Sequence, residues 1–303
     1  MKLTVAICTW NRAGLLESTL AEMTKIRPPR SDWEVLVIDN NCVDRTKEVV
    51  TSFLQKLPIK YLFEKQQGLS HARNSAVAGA SGDYVIWTDD DVLVDEDWLV
   101  AYEGAFDRFR SGSVFGGPID PWFDGDPPEW LKLNWKRFSN AYAVKDLGSH
   151  EVALDDRHNI PFGANFAIRT RVQREHPYDA RLGRSGAGGL LGEETSVIRA
   201  ILSQGHHGWW VPAAKVRHWI PRERQSIEYL KNYFYAAGRT EALLSLSESA
   251  ASKGLGTPAW LLRQWLGAET KALIKAVFGT QEDRLMTLLE AARLRGMVRK
   301  KDA

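Results

Sequence analysis

The sequence has little cysteine and no long apolar run. Its 303 residues include only Cys8 and Cys42, too few for a disulfide scaffold or a zinc cluster, and two thiols fit a reducing compartment. No uninterrupted apolar run approaches the ~18 residues that a spanning helix needs. The amino-terminal run MKLTVAICTW is too short for a signal peptide or an anchor. We therefore expect a cytoplasmic protein.

The sequence also lacks a strong net charge. The formal charge is +2, which offers no case for nucleic-acid binding. Residues 1–221 carry 26 basic and 29 acidic side chains, whereas residues 222–303 carry 14 and 9. A hydrophobic content of 44% is enough for a sizeable core, and tryptophan, with 12 residues, is unusually common. The basic carboxyl-terminal part suggests a separate role at an anionic surface.

Strand-like and helix-like patterns alternate through the first 115 residues. Such alternation predicts an α/β fold with a mostly parallel central sheet flanked by helices, in which ligands bind beyond the carboxyl ends of the strands. The predicted strands of this region are Leu3–Thr9, Trp33–Asp39, Ile59–Glu64 and Tyr84–Thr88, and the predicted helices are Leu15–Lys25, Thr46–Leu57 and Leu69–Ala80.

The later sequence changes character twice. A segment from about 116 to 160 is rich in Pro, Gly, Trp and Asp, which indicates an irregular excursion. After Pro221 the sequence is predicted to be helical. We therefore divide the chain into an α/β domain, 1–222, with a first half (1–115) and a second half (116–222), and a helical extension, 223–303.

Three carboxylates, Asp89, Asp90 and Asp91, directly follow the strand YVIWT. Adjacent carboxylates repel one another unless a cation or solvent offsets their charge. Mg²⁺ and Mn²⁺ prefer oxygen ligands and often bridge a carboxylate to a substrate phosphate, so we predict a metal site here. The alternative is a solvated acidic turn.

Other polar residues allow two interpretations each. Asp39 could accept hydrogen bonds from a nucleobase or ribose, or could simply form a turn. Asp44 is predicted to cap the following helix. Arg73, in the segment GLSHARN, could contact a phosphate or lie at the surface. Asn11 could cap the first helix.

An ordered set of motifs resembles the family 2 glycosyltransferases of the GT-A fold over roughly residues 3–240. The motifs are CTWNR, VIDNNCVDRT, GLSHARNSAVAGASGDYVIWTDDDV, FGANFAI, GEETSV and HWIPRERQS. The resemblance implies an inverting transfer from a nucleotide-diphosphate sugar, usually a UDP-sugar, to an acceptor hydroxyl, with Mn²⁺ or Mg²⁺ as cofactor.

The resemblance also implies roles for individual residues. Asp89 and Asp91 would form the DxD pair, with Asp89 towards the ribose and the metal, Asp91 on the metal, and His218 as a further metal ligand. The nucleotide side would comprise Thr9, Asn11, Arg12, Asp39, Arg73, Asn74, Asp89 and Asp90. The donor-sugar and acceptor side would comprise Gly163, Asn165 and Trp122.

The catalytic base is expected in Glu193-Glu194, because inversion requires a carboxylate that takes the acceptor proton. The family usually has Glu-Asp here, so this sequence departs from it by one methylene group. We assign Glu194 as the base and Glu193 to orienting the acceptor. The alternative is that both glutamates only favour the first turn of a helix. The run Arg184–Gly192 before them is predicted to act as a lid.

The segment Pro258–Phe278 has helical periodicity, with Leu261, Leu262, Trp265, Leu266, Ala272, Leu273, Ala276 and Val277 predicted on one side. Such a helix would suit an anionic membrane interface, or it could pack on the catalytic domain or a second subunit.

Taken together, the residues and the resemblance predict a metal-dependent glycosyltransferase that uses a nucleotide sugar and a glycan or lipid-linked acceptor. It would act in the cytoplasm, with the inner face of the membrane and self-association left open. A sugar-nucleotide nucleotidyltransferase is the first alternative, although CTWNRAG is not the Gly-rich loop typical of that class. A non-catalytic nucleotide-sugar-binding protein is the second.

Overall fold

The computed structural model describes residues 1–183, 190–248 and 257–298. The chain divides into two compact units. One unit is formed by Met1–Ala180 and Glu193–Ile220, and the other by Arg181–Gly192 and Pro221–Ala303. We refer to the first as the catalytic unit and to the second as the helical unit, and describe each by itself.

A seven-stranded sheet forms the centre of the catalytic unit, in the order β3-β2-β1-β4-β8-β6-β9. Strands β1 to β4 are mutually parallel where they pair, and β8 is antiparallel to both of its neighbours. This confirms the predicted mostly parallel sheet. The strands are β1 Lys2–Thr9, β2 Asp32–Asp39, β3 Ile59–Phe63, β4 Tyr84–Asp89, β6 Gly112–Gly116, β8 Phe166–Arg169 and β9 His207–Trp210.

Helices cover both faces of this sheet, because its strands are apolar on both faces. Val35 and Val37 of β2 face one core cluster, whereas Leu36 and Ile38 face the other. The helices of the catalytic unit are α1 Ala13–Met23, α2 Thr46–Ser52, α3 Leu69–Gly79, α4 Trp98–Arg108, α5 Glu129–Leu133, α6 Trp135–Phe138, α7 Thr170–Glu175 and α8 Glu193–Ser203.

A second sheet of three strands was not predicted from the sequence. It contains β5 (Val92–Val94), β10 (Val216–Ile220) and β7 (Ile119–Phe123), with β10 in the middle. The irregular excursion therefore contributes a strand to a sheet. Because β5 follows β4 after only two residues and pairs with β10 at His218↔Val92, this sheet brings His218 to the carboxyl end of β4.

The helical unit contains α9 (Ile227–Glu248), α10 (Ala259–Phe278) and α11 (Gln281–Val298). Helices α9 and α11 approach closely through glycines. A Cβ atom at Gly238 would lie 1.9 Å from the carbonyl oxygen of Arg293, and one at Gly296 would lie 2.1 Å from that of Tyr235. Among the described helices, none is both long and apolar enough to cross a membrane.

Candidate active site

The carboxyl ends of β1, β2 and β4 meet at one edge of the central sheet. Thr9 pairs with Asp39 across β1 and β2, and Cys8 pairs with Asp89 across β1 and β4. Parallel strands end together, so their polar terminal residues converge, as the sequence predicted. The three consecutive aspartates at this edge face three different sets of partners.

Asp90 points into the protein. Its carboxylate accepts hydrogen bonds from the hydroxyl of Thr9 (2.7 Å) and from Arg12 Nη1 (2.5 Å), and its backbone oxygen accepts one from Thr19. Burial raises the pKa of Asp90 to about 7, with Arg12 acting in the opposite direction. Thr9, Arg12 and Asp90, predicted beside the nucleotide, are thus bonded to one another.

Asp91 is buried between two partners. Its Oδ2 accepts a hydrogen bond from Arg12 Nη2 (2.6 Å), while its Oδ1 lies 3.4 Å from Nε2 of His218. The other ring nitrogen of His218, Nδ1, is 2.9 Å from the carbonyl oxygen of Tyr142. Because a carbonyl oxygen can only accept, Nδ1 carries a proton, and a neutral imidazole presents the lone pair of Nε2 towards Asp91.

This pair fits a divalent cation. A carboxylate oxygen and an imidazole lone pair that face each other repel unless a proton or a cation lies between them. Metal-binding histidines typically donate the N–H of the other ring nitrogen to a carbonyl oxygen, which leaves the lone pair of the second nitrogen free to bind the metal. The described residues contain no ready-made group of three His, Cys, Asp or Glu side chains for a metal. Further ligands would therefore have to come from substrate oxygens and water.

Asp89 is half-buried and faces a different cation, Arg73. Arg73 Nη2 lies 3.9 Å from Asp89 Oδ1 and 3.7 Å from Glu193 Oε1, so this guanidinium stands between the strand end and the glutamate pair. Asp89 contacts Arg73, whereas Asp91 contacts His218. These contacts do not support the prediction of Asp89 as a metal ligand. The placement of Asp89 towards the ribose stays a prediction.

Arg73 is buried, with its guanidinium about 5.4 Å from the ring centroids of Trp87 and Tyr178 and 5.5 Å from that of Phe166. Burial disfavours its charge, but Glu193 and the neighbouring acids raise the pKa of Arg73 above its usual value. Its Nη1 has no hydrogen-bond partner among the residues that the structure describes. The aromatic faces and the surrounding carboxylates therefore hold a fixed positive charge.

The two glutamates at the start of α8 differ in exposure. Glu193 is buried, and burial together with Glu194 raises the pKa of Glu193 to about 7 although Arg73 opposes the shift. Glu194 is only half-buried and lies beside Gly163, where an added Cβ would come 3.5 Å from Glu194 Oε1 and 2.9 Å from Arg73 Nη2. The absence of a side chain at Gly163 thus leaves room for Arg73 and Glu194.

Asp39 and Asn11 shape the neighbouring loop. Asp39 accepts hydrogen bonds from the hydroxyl of Tyr61 and the amide of Cys42, both at 2.7 Å. Asn11 has a positive φ of 53° and accepts a hydrogen bond from the amide of Val43 (2.8 Å). The prediction of Asn11 as a helix cap is wrong. Helix α1 begins at Ala13, its N-cap position is Arg12, and the side chain of Asn11 does not cap the helix.

The capping role belongs to Asp44. Its Oδ2 accepts a hydrogen bond from the amide of Ala13 (2.9 Å), and its Oδ1 accepts one from the amide of Thr46 (3.1 Å) at the start of α2. One carboxylate therefore caps two helices, including the following helix, as predicted. This arrangement fixes the loops that carry Asn11 and Asp39.

Two predicted ligand-binding residues have internal partners instead. Asn165 is fully buried: its Oδ1 accepts from Trp98 and Tyr102, and its Nδ2 donates to two backbone oxygens. Asn165 therefore has no polar atom left for the sugar, and the prediction is corrected. Asn74 forms two hydrogen bonds to the backbone of Tyr178, at 2.9 and 2.8 Å, which hold that segment in place.

Two tryptophans remain exposed near the chemistry. Trp122 is 36% exposed and packs edge-on against Trp219, which follows His218. Trp10, which follows Thr9 at the end of β1, is 40% exposed. Trp10 lies in the motif CTWNR without a predicted role, although a tryptophan directly after a buried strand indicates a ring at the strand end that can stack on a ligand. Of the predicted lid, residues 184–189 lie outside the described residues.

This architecture is that of a GT-A glycosyltransferase, a class in which an α/β sheet carries acidic residues at its carboxyl edge. The model of the protein family "Glycosyl transferase family 2" matches residues 4–164, just over half of the chain. The chain therefore belongs to glycosyltransferase family 2 and is an enzyme of that class, as predicted.

Two individual relatives illustrate the range of similarity, one by long coverage and the other by higher sequence identity. The succinoglycan biosynthesis protein ExoM of Rhizobium meliloti is 24% identical over 81% of this chain and 75% of that protein. A validoxylamine A glucosyltransferase of Streptomyces hygroscopicus is 38% identical, but over 30% of this chain and 22% of that protein.

Solved structures share the fold at low sequence identity. A mannosyltransferase of Pyrobaculum calidifontis, in complex with GDP-Man and Mn²⁺, has a TM-score of 0.61 at 18% identity, covering 98% of this chain and 86% of its own. S. aureus TarS residues 1–349, in complex with UDP-GlcNAc, has a TM-score of 0.57 at 15% identity, covering 97% and 90%. Both likenesses confirm the predicted GT-A fold.

Proposed function

We propose that this protein is an inverting, metal-dependent glycosyltransferase that moves a sugar from a nucleotide-diphosphate donor to an acceptor hydroxyl. The observation that carries the proposal is a pair of acidic sites, Asp91 with His218 after β4 and Glu194 with Glu193 at the start of α8. The buried cation of Arg73 lies 3.9 Å from Asp89 and 3.7 Å from Glu193. A binding protein would need the first site to hold a nucleotide, but it would need no base at the second.

Glu194 is the proposed base because it is the more accessible glutamate. It would accept the proton of the acceptor hydroxyl as that oxygen attacks the anomeric carbon from the face opposite the diphosphate. The bond from the anomeric carbon to the diphosphate oxygen then breaks, and the configuration inverts. Glu193, buried against Arg73 at 3.7 Å, would position that cation, which replaces the earlier assignment of Glu193 to the acceptor.

The donor side would use residues at the ends of β1, β2 and β4. Asp39 retains acceptor capacity for a base or ribose, and the exposed ring of Trp10 offers a stacking surface. Asp91 and His218 would hold Mn²⁺ or Mg²⁺, which would neutralise the charge that develops on the leaving diphosphate. Relatives in complex with GDP-Man and with UDP-GlcNAc leave two nucleotide classes to be tested.

A thermal-shift comparison of UDP-, GDP- and dTDP-sugars, each with Mn²⁺ or with EDTA, tests this proposal. Ligand stabilisation grows with concentration relative to the dissociation constant, so we expect one nucleotide class to raise Tm more than the others, and only with Mn²⁺. The variant Asp91→Asn should lose the Mn²⁺-dependent part of the shift, whereas Asp126→Asn, exposed elsewhere on the unit, should keep it. Equal shifts with and without Mn²⁺ would contradict the metal assignment.

We also propose that the acceptor, a glycan or lipid-linked molecule, is used at the anionic inner face of a membrane. The support is helix α10, which exposes Trp260, Leu262, Leu266, Leu273, Ile274, Val277 and Phe278. Trp265 and Ala272, predicted on the same stripe, are half-buried, and Leu261 is buried.

The charges around this exposed face suit anionic lipid. Arg263 and Lys271 are exposed and have no ion-pair partner in the described part of the chain. The acids of the region are already paired, Glu269 with Arg295 at 2.5 Å and Asp283 with Lys275 at 3.0 Å. An apolar face flanked by unpaired cations is typical of a helix in a membrane interface.

A further inference from the structure

A cavity of about 560 Å³ lies at the amino end of β4, away from the candidate active site. It is formed by the start of β4, the end of α4, the end of β8 and the start of α7. Its charged lining consists of Arg110, Arg169, Arg171, Arg174, Asp83 and Asp107. Because β4 has six residues, this cavity is roughly 17 Å from Asp89 at the other end of the strand.

None of the four arginines has a carboxylate partner in the described ranges. Arg169 donates to the carbonyl oxygens of Arg110 (2.7 Å) and Gly112 (3.0 Å), and Arg174 donates to that of Ala80 (2.9 Å). Arg110 and Arg171 are exposed. Carbonyl oxygens satisfy hydrogen-bond donors but leave the positive charge uncompensated.

The two aspartates of the cavity already have other partners. Asp83 accepts a hydrogen bond from the amide of Lys2 (2.8 Å), and Asp107 forms an ion pair with Arg30 (2.6 Å). Even when both are counted, four arginines against two aspartates leave an excess of two positive charges. A concave surface with such an excess concentrates anions.

Part of the cationic surface is held in a fixed orientation. The guanidinium of Arg169 lies 4.7 Å from the ring centroid of Tyr84, across the β8–β4 pairing, and its backbone-bonded nitrogens fix its plane. A planar guanidinium that is held by packing loses little entropy when it binds phosphate. Because Nε and Nη2 of Arg169 donate to the carbonyl oxygens of Gly112 and Arg110, Nη1 is the nitrogen that would donate to a phosphate oxygen.

We infer that this cavity is a second anion-binding site, which takes a phosphate-bearing ligand with at least two negative charges. The excess of two charges matches one phosphate dianion or a diphosphate. The cavity is larger than a single phosphate, which leaves room for the group to which the phosphate is attached. The inference does not depend on the proposed glycosyl transfer, because no residue of the candidate active site lines the cavity.

The test is binding of inorganic diphosphate by calorimetry in EDTA, comparing the unaltered protein with the double variant R110Q/R171Q. Both side chains are exposed, so the variant should fold normally, and we expect diphosphate binding to weaken about tenfold or more. The matched control R27Q/R157Q also removes two exposed arginines, each lying outside the cavity, and should bind like the unaltered protein. Equal affinity of R110Q/R171Q and the unaltered protein would overturn the inference.

A second arm distinguishes a free phosphate ligand from a lipid headgroup. Phosphatidylcholine vesicles with and without phosphatidic acid are sedimented with each protein, and any contribution of α10 is common to all three. A loss of phosphatidic-acid-dependent binding in R110Q/R171Q, together with the loss of diphosphate binding, supports a headgroup. Loss of diphosphate binding with unchanged vesicle binding supports a free ligand.

Discussion

The catalytic unit and the helical unit place charged and apolar side chains in opposite ways. In the catalytic unit the buried carboxylates of Asp90 and Asp91 pair with Arg12. The buried side chains of Arg73 and Glu193 lie 3.7 Å apart. In the helical unit the ion pairs Lys275–Asp283 and Arg295–Glu269 are partly exposed, and large apolar side chains of α10 are exposed. Buried charges fix a geometry because each needs a specific partner, whereas an exposed apolar face provides a surface for association.

The largest expected effect comes from the proposed base. Glu194→Gln should reduce sugar transfer by about 10²–10⁴-fold while donor binding stays unchanged, because the amide cannot take the acceptor proton. The measurement is single-turnover transfer alongside donor affinity. Glu129→Gln, which removes an exposed acid at the start of α5, is the matched control. Near-normal transfer by Glu194→Gln would move the base elsewhere.

The ion pairs of the two units should differ strongly in stability. Arg12→Gln removes the partner of two buried carboxylates, so we expect the free energy of unfolding to fall by about 3–5 kcal/mol at pH 8. Lys275→Gln, which breaks the partly exposed pair with Asp283 in the helical unit, should cost less than about 1 kcal/mol. Chemical denaturation measures both.

The Arg12 variant has a second expected property. Mn²⁺ should restore part of its lost stability without any donor, because a bound cation can compensate Asp91 in place of the guanidinium. If Arg12→Gln and Lys275→Gln lowered the free energy of unfolding equally, the expected difference between the ion pairs of the two units would be wrong.

The buried glutamate should produce a pH-dependent difference. Because burial raises the pKa of Glu193 from 4.5 to about 7, the folded protein binds this proton more tightly than the unfolded chain. The protonated carboxyl of Glu193 therefore contributes fully to the free energy of unfolding below pH 4.5, and this contribution is lost as the pH rises through about 7. Glu193→Gln should abolish that loss and gain on the order of 3 kcal/mol over the unaltered protein at pH 8, with little gain at pH 4.5.

Denaturation of Glu193→Gln and the unaltered protein at both pH values measures this difference. Glu34 changes stability with pH in the opposite direction: burial acts to raise its pKa, but hydrogen bonds from Lys60 and Ser81 lower it to about 2. Both proteins contain Glu34, so its contribution cancels when their stabilities are compared. Parallel stability of the two proteins across this range would show that Glu193 is not protonated by burial.

The smallest effect is expected on α10, and it should leave the catalytic unit unchanged. Leu266→Asp with Leu273→Asp should weaken binding to anionic vesicles roughly tenfold or more, because two apolar contacts are replaced by charges that anionic lipid repels. Leu54→Asp with Leu133→Asp, exposed in the catalytic unit, is the matched control. If the α10 variant loses self-association in light scattering and keeps its lipid binding, the face is a subunit interface.

Local sequence patterns were sufficient for much of the fold. The alternation of apolar strands and amphipathic helices predicted β1 to β4 and α1 to α3, because burial on both faces of a strand is visible in its own residues. It did not predict the three-stranded sheet, since β5, β7 and β10 come from distant segments and none is longer than five residues. The same limit applies to Asn165, whose four side-chain partners come from three separate segments: α4, Pro118 and Ala214.

The sequence by itself determined that carboxylates would gather at the edge formed by β1, β2 and β4, and its ordered motifs determined the family. Only the tertiary structure decided what each carboxylate faces. Arg12 reaches Asp90 and Asp91 across 78 and 79 residues, and His218 reaches Asp91 through a second sheet. Neighbouring residues in a sequence share a strand end, but the partner that compensates each buried charge is selected by packing over long distances.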